Sequence, residues 1–489
     1  MHAFDRLAEL RRRRHTTDTP SRRPARPQGL SRRDALKAMG ACSAVTAGSM
    51  MSQMLNLKLA TSVMANVPNA PGYKAVVCVF LFGGIDSYHM LVPNDTQGYA
   101  DYVAARTDLA VPQGDLLPIT DVSGRQFGLH PTCGDIKTLF DSGELGFVGN
   151  VGSLIEPTTV QQQQQGVRVP LGLFSHNDQQ QHWMTGVPQS RTQLTGWVGR
   201  MADCITDASN TNDAVSMNIS VNNLNILQTG EGVAPYVVGS NGATTLSNYK
   251  EDYTADRLFK QATDGLLNQS YSDLLNRTHA RTRRNAIDAA IEFQDATQAV
   301  TLNTPFPANN GLADQLQMVA KTIAGRGALG QTRQTFFVAA GGWDHHDGML
   351  DKTVGMFPMV ASALKAFNEA MIELGVNDDV TLFTASDFGR TLSSNGNGSD
   401  HAWGGNMMVM GGDVTGGKVH GEYPTTLAPG NTLDSGRGRL VPTTAVDEMA
   451  ADIAEWFGIP NDDNMELVLP NIRNFYQAGS STPALGLFT

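Results

Sequence analysis

Residues 75–87 read AVVCVFLFGGIDS, and this stretch decides the fold. Eight apolar residues in a row, Ala75 to Phe82, show no polar alternation. A strand of this kind is buried on both faces, as in a parallel sheet covered by helices. Two glycines and a carboxylate, Asp86, follow it directly. The same grammar returns later in the chain. Apolar, β-branched runs at 334–340 and 380–385 lead into GGWDHHD (341–347) and SDFGR (386–390), and DHAWGG (400–405) leads into a further run at 406–411. Another strand is expected at 144–149. Helical spacing lies between these runs, at 132–140, 312–323, 353–374 and 445–456.

Strands alternating with helices predict an α/β fold, a three-layer sandwich around a mostly parallel central sheet. Ligands of such sheets collect at the carboxyl ends of the strands. Asp86, Asp344 and Asp387 each fall a few residues beyond one. Carboxylate oxygens and imidazole nitrogens delivered to one sheet edge are what a divalent metal requires. The pattern predicts a metal-dependent hydrolase, or a protein descended from one.

At the N-terminus, SRRDALK (31–37) is a twin-arginine export motif with Ala35 where an aromatic is commoner. A mildly apolar, Ala/Gly/Ser/Met-rich stretch follows to Met64, and Val63-Met64-Ala65 offers small residues for cleavage. Residues 1–65 are therefore expected to be a signal peptide, with the twin-arginine translocase as partner during export and a periplasmic or extracellular destination. They hold 12 of the 36 basic and 4 of the 47 acidic residues, leaving 24 basic against 43 acidic in 66–489. Such a surface repels nucleic acid and anionic lipid. No other stretch has the ~20 apolar residues needed to span a bilayer. Cys78, Cys133 and Cys204 remain after the leader, an odd number without a Cys-x-x-Cys pair, so no disulfide framework is indicated.

Residues 66–489 read as one domain. Within it, 206–310 is rich in Asn, Thr, Ser and Asp, with a weak strand signal at 216–227 and a helix at 284–298. An insertion or cap over the site is expected there.

The leader, FLFGGIDS (80–87), LHP (129–131), SHND (175–178), GGWDHH (341–346), SDFGRT (386–391), DHAWGG (400–405) and GRLVPTT (438–444) together resemble a bacterial twin-arginine-exported family, without an assigned activity, of the alkaline phosphatase and sulfatase superfamily. The resemblance covers nearly all of 66–489. It implies the fold and a metal-site ancestry, not a substrate. Carried across, Asp86 matches the metal-binding Asp after the first strand. Asp344 and His346 match the second cluster, Asp387 the Asp of an Asp-His pair, and His401 the late histidine ligand. Phe388 stands where the paired His would be, which implies one metal, or a weakened second. Zinc, calcium and manganese all remain open.

Adjacent side chains of an extended segment point opposite ways, so of His345 and His346 the second is read as the ligand. Asp347 is read as orienting an imidazole. The superfamily's nucleophile position corresponds to Thr132, behind Pro131 at a first helical turn. Ser87 and Ser175 are rivals, and a metal-bound water is a fourth candidate. Arg390 and His176 are candidates for contacting an anion. Two readings go forward. One is an exported metal-dependent hydrolase of phosphate or sulfate esters acting on a small anionic substrate. The other is a non-catalytic exported metal-binding or cell-surface protein that keeps the fold.

Overall fold

The computed structural model describes residues 72–210, 212 and 214–489; the expected signal peptide, 1–65, lies outside them. The opening stretch is strand β1 (Lys74–Leu81), with seven of its eight residues buried. It pairs in parallel with β8 (Arg333–Ala340) on one side and β9 (Val380–Ser386) on the other, Cys78 standing opposite both Phe337 and Phe383. Beyond β8, the short strands β6 (Asn218–Ser220) and β7 (Tyr236–Val237) continue the sheet in parallel. Beyond β9, β12 (Gly405–Met410) runs antiparallel between β9 and β5 (Leu145–Gly152). Strands β13 (Val419–Gly421) and β14 (Thr444–Ala445) pair in parallel with the far side of β5.

In this nine-stranded sheet β12 is the one reversed strand. The reversal matters for the site. The start of β12 lies at the same sheet edge as the ends of β1, β8 and β9, so residues 401–404 arrive beside Asp344 and Asp387. Two small antiparallel sheets decorate this core. One contains β2 (Leu91–Pro93), β3 (Leu117–Thr120) and β4 (Gln126–Leu129), and the other is the hairpin of β10 (Arg390–Ser394) and β11 (Ser399–His401).

Two groups of helices flank the sheet, giving the three-layer α/β arrangement. Short helix α1 (Ser87–Met90) follows β1, and α2 (Thr96–Arg106) follows β2. Helix α3 (His176–Thr185) and the helix Trp197–Ser209 belong to one group with α7 (Val446–Phe457). In the other, α4 (Leu274–Gln298) packs on α5 (Gly311–Ala324), which packs on α6 (Met349–Glu373) and β8. Leu312, Leu316, Val319 and Ile323 form the buried stripe of α5, at helical spacing, and the Asn310 side chain caps its first turn through the N–H groups of Leu312 and Ala313.

The helix expected from 132 begins at Gly134 (Gly134–Asp141), because Thr132 is held in a preceding turn with its Oγ1 2.8 Å from His130 Nδ1. Helix α4 begins ten residues earlier than its apolar spacing indicates, started by the Asp273 side chain on the Asn276 N–H. Segment 206–310 supplies β6, β7, the helix Thr254–Leu267 and α4. Its loop 222–226, at the end of β6, is the part that reaches the edge where β1, β8 and β9 end. Cys78, Cys133 and Cys204 are buried free thiols. Among the described residues no helix is long and apolar enough to cross a membrane.

Candidate metal centre

Close approach of the loops after β1, β8 and β9 depends on two glycines. Gly83 and Gly84 have φ of 122° and 83°. A Cβ at Gly83 would lie 2.5 Å from the Asp344 backbone nitrogen, and one at Gly84 would lie 2.5 Å from the Phe388 ring. No side chain fits either place, so GG after β1 is what lets Asp344 and Asp387 come together.

Three imidazoles meet around Asp344. His346 Nε2 and His401 Nε2 lie 3.0 and 3.1 Å from its Oδ1, and His176 Nε2 lies 3.4 Å from its Oδ2. The two nitrogens of His346 and His401 are 2.9 Å apart. Ligand-grade atoms of His176, Asp344 and His401 all lie within 4.8 Å of one another.

The opposite nitrogen of each ring is anchored. His176 Nδ1 sits 2.6 Å from Asp387 Oδ2, His346 Nδ1 2.9 Å from Asp400 Oδ1, and His401 Nδ1 2.7 Å from the Phe174 carbonyl. A carboxylate or carbonyl only accepts, so each Nδ1 is the donor in its contact; a neutral ring protonated there presents the lone pair of its Nε2 on the Asp344 side. Anchoring the far nitrogen in this way is how proteins orient metal-binding imidazoles.

Arg390 Nη1 donates to Asp344 Oδ1 at 2.7 Å. Burial raises the Asp344 carboxyl, but the hydrogen bond and charge of Arg390, with His401 and His346, outweigh it and bring the carboxyl down to about 2. Burial holds the His401 ring below its ordinary value, in the neutral form that can ligate. On Asp400, hydrogen bonds from Asn395, and then from His346 and Arg437, hold the carboxyl well below the usual range. The cluster opens to solvent, with the Asp344 and His346 side chains 42 % and 43 % exposed.

Of the five residues expected to hold metal, Asp344, His346 and His401 come together. His176, expected to contact an anion, joins them, and His345 is buried beside Met356 instead. Asp387 stands one layer back. Its Oδ1 accepts from the Gly83 N–H at 3.1 Å, and its Oδ2 holds His176 and the Gln180 amide. Asp86 lies in a fully buried pair with Arg106 at 2.9 Å and also accepts from Ser399 Oγ and the His89 N–H.

Arg390, read as an anion clamp, is buried and turned to the protein, its guanidinium on Asp344, Gly83 O and Ser399 O. Ser87 Oγ accepts from the Asn406 N–H in the core, and Thr132 Oγ1 rests on His130. The Phe388 ring closes one wall, 4.6 Å from the His401 ring and 5.0 Å from that of His176.

Sequence reasoning missed the anchors. The role of Gln180 has only its position, one turn after His176, as a signal. The Phe174 carbonyl has none, although Phe174 itself sits at φ 71°, a conformation that non-glycine residues rarely hold without a reason.

Solved structures to which the chain is similar include three of comparable standing. The first is the soluble domain of lipooligosaccharide phosphoethanolamine transferase A from Neisseria meningitidis (10% identity, 83% of this chain and 96% of that one, TM-score 0.32). The others are the PsFucS1 sulfatase from Pseudoalteromonas sp. (11%, 83% and 70%, 0.32) and a mutant of the alkaline phosphatase PafA (11%, 66% and 64%, 0.31). No curated protein matches. Residues 73–468 match the family described as Protein of unknown function (DUF1501), and the chain belongs to that family.

Proposed function

We propose that this protein is an exported hydrolase of phosphate or sulfate esters that works with one divalent cation held by His176, Asp344, His346 and His401. One observation carries the reading. Three imidazoles, each fixed through Nδ1 to an acceptor, turn their Nε2 atoms toward one carboxylate. Rings protonated at Nδ1 present lone pairs there, which a cation beside the Asp344 carboxylate would take up. The donor set therefore fits a metal ion. Three imidazoles to one carboxylate suit zinc, or manganese, better than calcium, which prefers oxygen.

Such an ion, when bound, polarises an ester oxygen and lowers the pKa of water toward neutrality. The chain's own residues do the rest. Asp387 and Asp400 hold their imidazoles in the ligating tautomer, and Arg390 fixes Asp344 in the ring of donors. Phe388 fills one flank with carbon, which supports a single cation. Ser87 and Thr132 are turned away from the cluster and the Ser175 hydroxyl is given to Asp178, so the attacking group of this reading is water.

Spending Arg390 on Asp344 also favours a second reading, a metal-binding exported protein without turnover. Metal analysis of the purified protein, followed by aryl phosphate and aryl sulfate assays with and without chelator, separates the two. The hydrolase reading expects about one zinc or manganese per chain and chelator-sensitive turnover. Bound metal with no turnover on either ester leaves the second reading, and no bound metal removes both.

A further inference from the structure

Beside the imidazole cluster lies a second feature, which the hydrolase reading leaves unused. A cleft of about 530 Å³ runs between α3, the segment 191–194 and the loop 222–226. It shares a wall with the cluster. Asn177 follows His176 directly, and Gln180 donates to the Asp387 carboxylate that anchors His176.

The cleft is lined by carboxamides and apolar side chains. Seven of its fourteen lining side chains are carboxamides. The one charged group among them, Arg191, is occupied by Asp178 at 2.5 and 3.2 Å. No free charge is therefore left on the cleft's lining, although 66–489 holds 43 acidic and 24 basic residues. Several amides have spare capacity. Gln181 and Gln193 use their Nε2 on protein acceptors at 3.1 and 2.7 Å, and Gln180 spends its own on Asp387, which leaves three Oε1 atoms without a donor among the described residues. Among the described residues the Asn177 side chain has no hydrogen bond, and Asn223 uses its Nδ2 on Asn222 with no donor to its Oδ1. Leu194 and Leu224, 78 % and 75 % exposed, stand at the mouth with nothing packed on them.

We infer that this cleft binds a neutral, polyhydroxylated group, a carbohydrate. As the non-reacting part of the substrate, this assignment rests on the hydrolase reading; as a binding site, it stands alone. Carboxamide oxygens accept, and a sugar ring brings several hydroxyl donors within a few ångströms. A peptide strand offers about one N–H per residue, too sparse for so dense a set of acceptors. An anion finds no cation here, and a cation finds no carboxylate. The two leucines match the C–H faces of a pyranose. Polar groups left unpaired by a ligand without hydroxyls discriminate strongly, which makes such a cleft selective.

Saturation-transfer NMR on the purified chain with maltotriose, cellotriose and chitotriose, with and without EDTA, tests this. At least one sugar should bind regardless of EDTA. Its affinity should fall tenfold or more in Gln193→Leu/Asn223→Leu, two changes outside the cluster, and stay unchanged in His401→Ala. Circular dichroism guards against unfolding, and Gln181→Leu serves as a second variant. Silence from all three sugars overturns the proposal, as does unchanged affinity in the amide variants or stronger transfer to tetra-alanine. Sugar binding without ester turnover removes the hydrolase reading and keeps the cleft. Turnover without sugar binding does the reverse.

Discussion

Two sets of three histidines lie near the edge where β1, β8 and β9 end, and they are built in opposite ways. In the first, His176, His346 and His401 are partly open to water, each with one nitrogen anchored and the other turned to Asp344. In the second, His89, His130 and His345 pack mainly against aromatic rings and Met356, His130 keeping Thr132 on its Nδ1. The His89 and His130 rings lie 4.9 Å apart, both face Phe357, and His345 meets Trp343 and Met356. Both nitrogens of His89 and Nδ1 of His345 are buried without a partner. The first set is arranged to receive positive charge and the second to exclude it. Residue type alone does not make a metal site; the partner on the far nitrogen does.

The largest effect expected from breaking this contrast is on metal content. Asp344→Ala removes the carboxylate on which the three rings converge. It should cost more metal affinity than Asp387→Asn, which only loosens the hold on His176, a change typically worth ~10–100-fold. Chelator-competition titration of both variants, with His89→Phe as control, checks the order. If the control loses as much metal as Asp344→Ala, the two sets are not distinct.

Next in size is a stability effect. Asp86 and Arg106 form a pair from which water is wholly excluded. Burial alone would raise the Asp86 carboxyl, but Arg106 and then His89 and Ser399 more than compensate and hold it below its ordinary value. Arg106→Met leaves that carboxylate without its cation and is expected to cost about 3–5 kcal/mol. Urea unfolding measures the loss, while metal analysis of the folded fraction should show normal content. Metal lost at unchanged stability would move Asp86 from the core to the cation.

That assignment marks where sequence stops being informative. Buried parallel strands are legible because their apolar runs are local, and the Gly-Gly-x-Asp loops are legible because they directly follow them. The choice of His346 over His345 follows from side-chain alternation, since the structure turns the first to Asp344 and buries the second. Direction is another matter. An apolar run does not say which way β12 points, yet its reversal delivers His401. The fate of Asp86 depends on Arg106, twenty residues away on a helix with no motif around it. The anchor of His401 is a backbone carbonyl, which every residue has. The Arg-rich half of α4 lacks an apolar period, so only its cap announces it.

The smallest effect is a pH slope that belongs to the second set. Burial, and then the charge of Arg106, push His89 down to about 3, and burial pushes His130 down to about 4. In the unfolded chain both titrate near 6.5. Between those values the unfolded state binds protons that the folded state refuses, so stability falls as pH falls. The contribution is whole above about 6.5 and is lost progressively toward 4 and then 3, at up to about 1.4 kcal/mol per pH unit for each ring. His89→Phe keeps an aromatic ring against His130 and Phe357 and cannot take up a proton in either state. In metal-free protein, where the first set has no cation to lose, this variant should show a shallower fall in stability between pH 6.5 and 4 than the parent chain. An identical slope would mean that His89 finds a way to hold its proton in the fold, through water reaching nitrogens that now have no partner, and the contrast between the two sets would be one of degree.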